Sequence, residues 1–299
     1  MIPQDGYTAH ERLVAPARAY PQVWRLIVGI LVASIAFVTM RQLYFSSVFS
    51  LSGPWGEQLF DQLVDGKTPL AMYLLLFSFG FMALATGLAA RMLHRRPLRS
   101  ILGPLDLLRD QFVRVMAILV LLNVVIAALP PWGMGAPLEV NLNLGRWLAL
   151  LPLSLLAVFV QVAGEEVFFR GYLQQQLAAR FRAPLVWMGL PAVVFALGHY
   201  QTEVMGENAM MVAIWACVFG LLMADLTARA GTLGPAIAVH LANNLMAIVF
   251  VSVPDQFSGL ALYHAPFGLE DATALRAWLP VDFAMMFVAW LAARLALRR

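Results

Sequence analysis

Two adjacent carboxylates, Glu165 and Glu166, are followed one helical turn later by Arg170. Further along stand His199 and then His240, with Asn244 four residues beyond it. Carboxylate, imidazole and amide groups can together move a proton, activate a water, donate hydrogen bonds to a developing oxyanion, or ligate a metal. Their surroundings make the set unusual. Each lies in or at the end of an apolar run, where an ionisable side chain costs several kcal/mol if the run crosses a bilayer. Glu166 and Arg170 can pair. Glu165 projects about 100° away around a helix and has no cation beside it in the sequence. Two readings stay open here. Either the run ends at these acids and both face water, or it continues and they lie within the membrane.

The elements that carry these residues are set by composition. Of 299 residues, 61% are hydrophobic and 12% charged, against about 25% charged in an ordinary soluble domain. So apolar a chain has lipid as its solvent, and a formal net charge of +3 gives no reason to expect a nucleic-acid partner. Apolar runs of about 20 residues match the thickness of a bilayer core. They fall near 24–48, 69–90, 112–130, 147–170, 184–200, 209–228, 232–252 and 275–297. The expected fold is therefore an all-α integral membrane protein with about eight transmembrane helices. Pro130 and Pro131 end the third run, Gly231 and Gly234 mark a tight turn after the sixth, and Pro254 stops the seventh.

Arginines gather before the first run (Arg12, Arg18, Arg25), between the second and third (Arg91 to Arg114), after the fourth (Arg180, Arg182) and sixth (Arg229), and at Arg298 and Arg299. The alternate loops instead carry acids such as Glu57, Asp61, Glu139, Glu203, Asp255, Glu270 and Asp271. The positive-inside rule then puts both termini in the cytoplasm, which an even number of spans requires. Residues 1–23 form a cytoplasmic N-terminal segment without a cleavable signal, and 24–299 one polytopic domain. This places the protein in a membrane, the inner membrane if the organism is bacterial. Cys217 stands alone, so an intrachain disulfide is excluded; it is expected to be a small buried or lipid-facing residue. Asp225 and Arg229 are spaced to pair locally, and Asn123 to bond between helices. His94 and His264 are expected to be solvated.

Depth favours a shared site. With a turn at Arg182-Ala183-Pro184, Glu165 and His199 both lie roughly 24–27 Å from it along antiparallel helices. The polar stretch from Gln174 to Arg182 would then project into the cytoplasm. His240 is nearer its own turn at Gly231 and needs tilt or a recessed loop to reach the same level. Asn244 shares its face.

Glu165-Glu166-x-x-x-Arg170, Phe195-x-x-x-His199 and His240-x-x-x-Asn244 resemble the three motifs of the CPBP family, the CAAX protease and bacteriocin-processing intramembrane endopeptidases. The resemblance covers about 145–252. It implies hydrolysis of a peptide bond in a membrane-associated protein or peptide, with Glu165 as general base and His199 orienting or activating the same water. His240 and Asn244 would serve the oxyanion, and Glu166 would pair with Arg170 to stiffen the helix. Phe195 would pack. The favoured mechanism uses no metal or other cofactor. Its alternative places Zn2+ on Glu165, His199 and His240. The other intramembrane protease signatures (His-Glu-x-x-His, Gly-x-Ser-x-Gly, Gly-x-Gly-Asp) are missing from the sequence. Two non-protease readings remain: a binding or bacteriocin-immunity protein on the same fold, and a proton-coupled transporter.

Overall fold

The computed structural model describes residues 4–129, 137–269 and 271–298. Pro130, Pro131, Glu270 and Arg299, which carried expectations above, lie outside the described residues. The protein is an all-α, multi-pass membrane protein. Its apolar helices follow the runs closely. They are α1 (Val23–Ser52), α2 (Gly56–Asp65), α3 (Pro69–Ser78), α4 (Gly80–His94), α5 (Leu105–Ala128) and α6 (Leu144–Glu166). A π-helical turn, Val167–Leu173, joins α6 to α7 (Gln174–Arg180); a second, Leu185–Gly189, opens α8 (Leu190–His199). There follow α9 (Ala209–Ala230), α10 (Gly234–Leu245), a third π turn at Met246–Phe250, and α11 (Ala272–Leu297). Among the described residues six helical stretches are long and apolar enough to cross a membrane, beside two shorter apolar helices, Leu185–His199 and Gly234–Phe250.

Local chemistry sets the boundaries. Thr68, Asn143 and Asp271 accept from the first-turn amides of Ala71, Arg146 and Ala274 and so cap α3, α6 and α11. Gly231, at φ 71°, closes α9 in the left-handed conformation. Ile27, Leu31, Ile35 and Val38 stand exposed along one face of α1, as a lipid-facing stripe does. Small residues let helices approach closely: a Cβ at Gly220 of α9 would press on Ala192 of α8. One at Gly164 would overlap the carbonyl oxygen of Phe79, at the break between α3 and α4. Span two thus touches span four one residue before Glu165. At the acid-bearing end, β1 (Glu139–Val140), β2 (Val251–Ser252) and β3 (Tyr263–His264) form a small sheet in the order β1-β3-β2.

The arginine-rich end departs from expectation. Residues 4–19 form a run of short helical turns packed onto the bundle. His10, Leu13, Val14 and Ala17 are buried. Tyr7 donates to Asp225 at 2.7 Å, Arg12 to the carbonyl of Ala230, and the Ala9 backbone lies against Gly231. Burial against Trp187 and Gln174, aided by the nearby charge of Arg18, lowers the His10 pKa to about 4. Burial, with the Asp225 carboxylate, raises that of Tyr7 to about 12.

This docking corrects several expectations. Gln174, Gln175 and Gln176 are buried rather than projecting into water, because the segment and the turn around Arg96 cover them. Arg96 itself is buried and donates to Gln175, Ser100 and the Leu13 carbonyl; burial lowers its pKa to about 10. His94 is also buried, bridging the Tyr20 carbonyl and the Tyr172 hydroxyl at 3.0 and 2.9 Å. His264 is half-buried on β3, its Nε2 buried without a partner among the described residues. Asn123 donates to the Leu119 carbonyl of its own helix, not to another span. The Asp225–Arg229 pair forms at 2.8 Å as expected, and Tyr7 and Trp290 also donate to Asp225. Cys217 is half-buried in an apolar cluster.

Candidate active site

The α6–α7 rod continues beyond its acids through the π turn that opens at Val167, so the helix does not end at Glu165. Glu165, Glu166 and Arg170 are buried inside the bundle. The acids are enclosed by protein rather than facing water. A π turn places one extra residue in a helix and re-aims the side chains that follow. Here one sits directly after the acids, and another directly follows Asn244 and Leu245.

Glu166 is the hub. Its Oε1 accepts from Arg170 Nη1 at 2.8 Å and from His240 Nδ1 at 2.8 Å. Arg170, wholly enclosed, also reaches the Gly220 carbonyl at 3.5 Å and lies over the Phe195 ring. With Nδ1–H committed to Glu166, His240 turns Nε2 toward Glu165, whose Oε2 is 3.5 Å away. Phe219 and Phe195 wall the imidazole on its other sides, their ring centres 5.0 and 6.1 Å away.

The mismatch in depth is resolved by the arginine-rich end. The turn from α9 to α10 is recessed: residues 230–234 are buried beneath Ala9 and beside Gly103. Its Leu233 amide donates to the Leu102 carbonyl. That recession lets His240 reach the acids of the longer rod.

His199 is brought near but not into the chain of contacts. It is half-buried at the end of α8, its ring tilted against that of Phe195 at 4.4 Å, and among the described residues it forms no ion pair with a carboxylate. Its Nδ1 lies 2.9 Å from the Phe195 carbonyl. A carbonyl only accepts, so Nδ1 donates, and in a neutral ring Nε2 carries the lone pair. Phe195 is buried and packs against both histidines. Among the described residues Asn244 is hydrogen-bonded to neither acid. Its Nδ2 donates to Gln161 Oε1 at 2.9 Å, and its Oδ1 accepts from Asn243 at 3.2 Å. Gln161, one turn before Glu165 and buried, escaped the sequence reading because an amide carries no charge. Its position in the apolar run Val158–Val162 was the available signal.

The zinc alternative needs Glu165, His199 and His240 to converge on one ion. Among the described residues no group of three His, Cys, Asp or Glu could hold a metal. His240 also has Nδ1 engaged with Glu166, and His199 stands beyond Phe195. The donor set does not fit, and no step below passes through a metal.

With this geometry in place, comparison with known proteins is informative. Residues 147–246, from the first turn of α6 to the end of α10, match the family model of type II CAAX prenyl endopeptidase Rce1-like proteins. The matched stretch holds every residue of the three motifs. That stretch is thus similar to an Rce1-like domain of the CPBP family. A relative, the uncharacterized protein YyaK of Bacillus subtilis (strain 168), is 24% identical over 206 residues, or 67% of this chain. The chain spans 66% of that relative's length. No solved structure matches.

Proposed function

We propose that this Rce1-like protein is an intramembrane endopeptidase that hydrolyses a peptide bond of a membrane-associated protein or peptide, with a water activated by Glu165. The observation that carries the reading is the buried chain Arg170–Glu166–His240–Glu165, in which one acid is neutralised and the other is not. Glu166 is held by a guanidinium and an imidazole, so it serves structure and orientation. Glu165, with the His240 Nε2 edge as its neighbour, is free to act on a water.

In this mechanism Glu165 takes a proton from water as the oxygen attacks the peptide carbonyl carbon. His199, with its Nε2 lone pair, orients that water. The tetrahedral oxyanion receives the free N–H of Asn244 and the protonated Nε2–H of His240. The proton on Glu165 then passes to the leaving amine as the C–N bond breaks. Glu166 fixes the His240 ring throughout. We further propose that residues 24–299 act as one domain with the protease core at about 145–252, and that residues 1–23 lie in the cytoplasm.

The test is turnover of an internally quenched peptide with a farnesylated cysteine and a free carboxyl end, in proteoliposomes. It is accompanied by membrane proteomics of cells carrying wild type or Glu165→Gln. Wild type cleaves and Glu165→Gln, folded to the same extent, does not. Equal cleavage by both overturns the assignment.

A further inference from the structure

Gln161 has no role in the motifs, yet its side chain bonds to one of their members. It is buried, sits one turn before Glu165 on the same face of α6, and accepts from Asn244 Nδ2 at 2.9 Å. The amides run in one direction: Asn243 Nδ2 donates to Asn244 Oδ1, and Asn244 Nδ2 to Gln161 Oε1. Gln161's own N–H groups have no acceptor among the described residues. An amide NH2 has two donors. One of Asn244's is fixed by Gln161, which in turn fixes where the other points. Without that acceptor, the Asn244 amide can rotate or flip and present its oxygen to a developing negative charge.

We propose that Gln161 is a positioning residue for the hydrolysis. By accepting from Asn244 it sets the side-chain amide so that the second N–H faces the oxyanion. The proposal rests on the catalytic reading above, and its test separates the two. The probe is the same quenched farnesylated peptide, with kcat and KM measured for Gln161→Met, Asn244→Ala and the double variant. Removing an oxyanion donor slows turnover by about 100- to 1000-fold in comparable sites, so Asn244→Ala should fall in that range. Gln161→Met should lower kcat about 10-fold or more and leave KM within about twofold. Because it acts through Asn244, the double variant should match Asn244→Ala rather than multiply the two losses. Gln161→Glu, which keeps an acceptor for Asn244, should retain more turnover than Gln161→Met.

A second measurement does not need turnover. In detergent-solubilised protein labelled with 15N-asparagine, the side-chain amide signal lost in Asn244→Ala should shift and exchange faster in Gln161→Met. An unchanged kcat with an unmoved Asn244 signal overturns the proposal, as does a multiplicative cycle. Should Glu165→Gln keep full turnover, the catalytic reading itself fails, and the Asn244 signal alone decides whether Gln161 orients it.

Discussion

Glu165 and Glu166 are neighbours in sequence and opposites in surroundings, and substitution should separate them. Glu165→Gln keeps the shape and some hydrogen bonding but removes the base, so the protein should fold and lose nearly all turnover. Glu166→Gln removes the charge that both Arg170 and His240 lean on. Breaking a buried pair costs about 3–5 kcal/mol. Melting in detergent should therefore drop for Glu166→Gln and recover in part when Arg170→Met is added. Equal melting losses for both glutamate variants would remove the distinction. At this scale the motif was legible, since charge inside an apolar run is rare enough to notice. The second function of Glu166, gripping His240, was not. It depends on which face α10 turns, and spacing within a single helix does not give that. Gln161 was invisible for a related reason: a neutral amide does not stand out in a hydrophobic stretch.

The helices were legible because the bilayer imposes their length. Each apolar run corresponds to a helix or helix pair, with ends shifted by a few residues. The π turns were not, because inserting one residue leaves composition and apolar spacing almost unchanged. Nor was the docked N-terminal segment, whose short turns lack a sustained 3.6-residue pattern. Close approach at Gly164 yields a prediction for helices. Gly164→Val would push the Phe79 carbonyl and span two away from α6, next to Glu165. Overpacking of this kind costs about 1–3 kcal/mol. Both melting temperature and turnover should fall, and wild-type values for both would show that the contact is slack.

The N-terminal segment yields another prediction. His10 titrates at about 4 when docked and near 6.5 when free, so the undocked state binds more protons between those values. Docking is therefore unaffected above pH 6.5 and weakens as pH falls from 6.5 toward 4. Limited proteolysis within residues 4–19 should accelerate over that window in wild type and much less in His10→Gln. Equal rates in the two proteins would show that the imidazole does not couple to docking.

Across the whole molecule, the arginine distribution predicts sidedness. Reporter fusions at Arg299 and near Asp255 should report opposite sides of the membrane, with Arg299 in the cytoplasm. Finding both on one side would break the eight-span arrangement. Composition made the membrane architecture legible. It gave no hint that the two ends of the bundle differ in closure, one carrying a small sheet and the other a folded plug.

That plug has a consequence for how the protein is made. Tyr7 bonds to Asp225, 218 residues later in the chain. At synthesis rates of about 5–20 residues per second, the first partner waits on the order of 10–40 s for the second. Residues 4–19 therefore emerge well before the helices they dock against. Until the α9–α10 turn is inserted, His240 has no recess to enter and the acids of the rod have no imidazole beside them. Assembly of the proposed site is then one of the closing events of biogenesis, so a chain stalled before residue 240 would hold its carboxylates in the membrane with no means of using them.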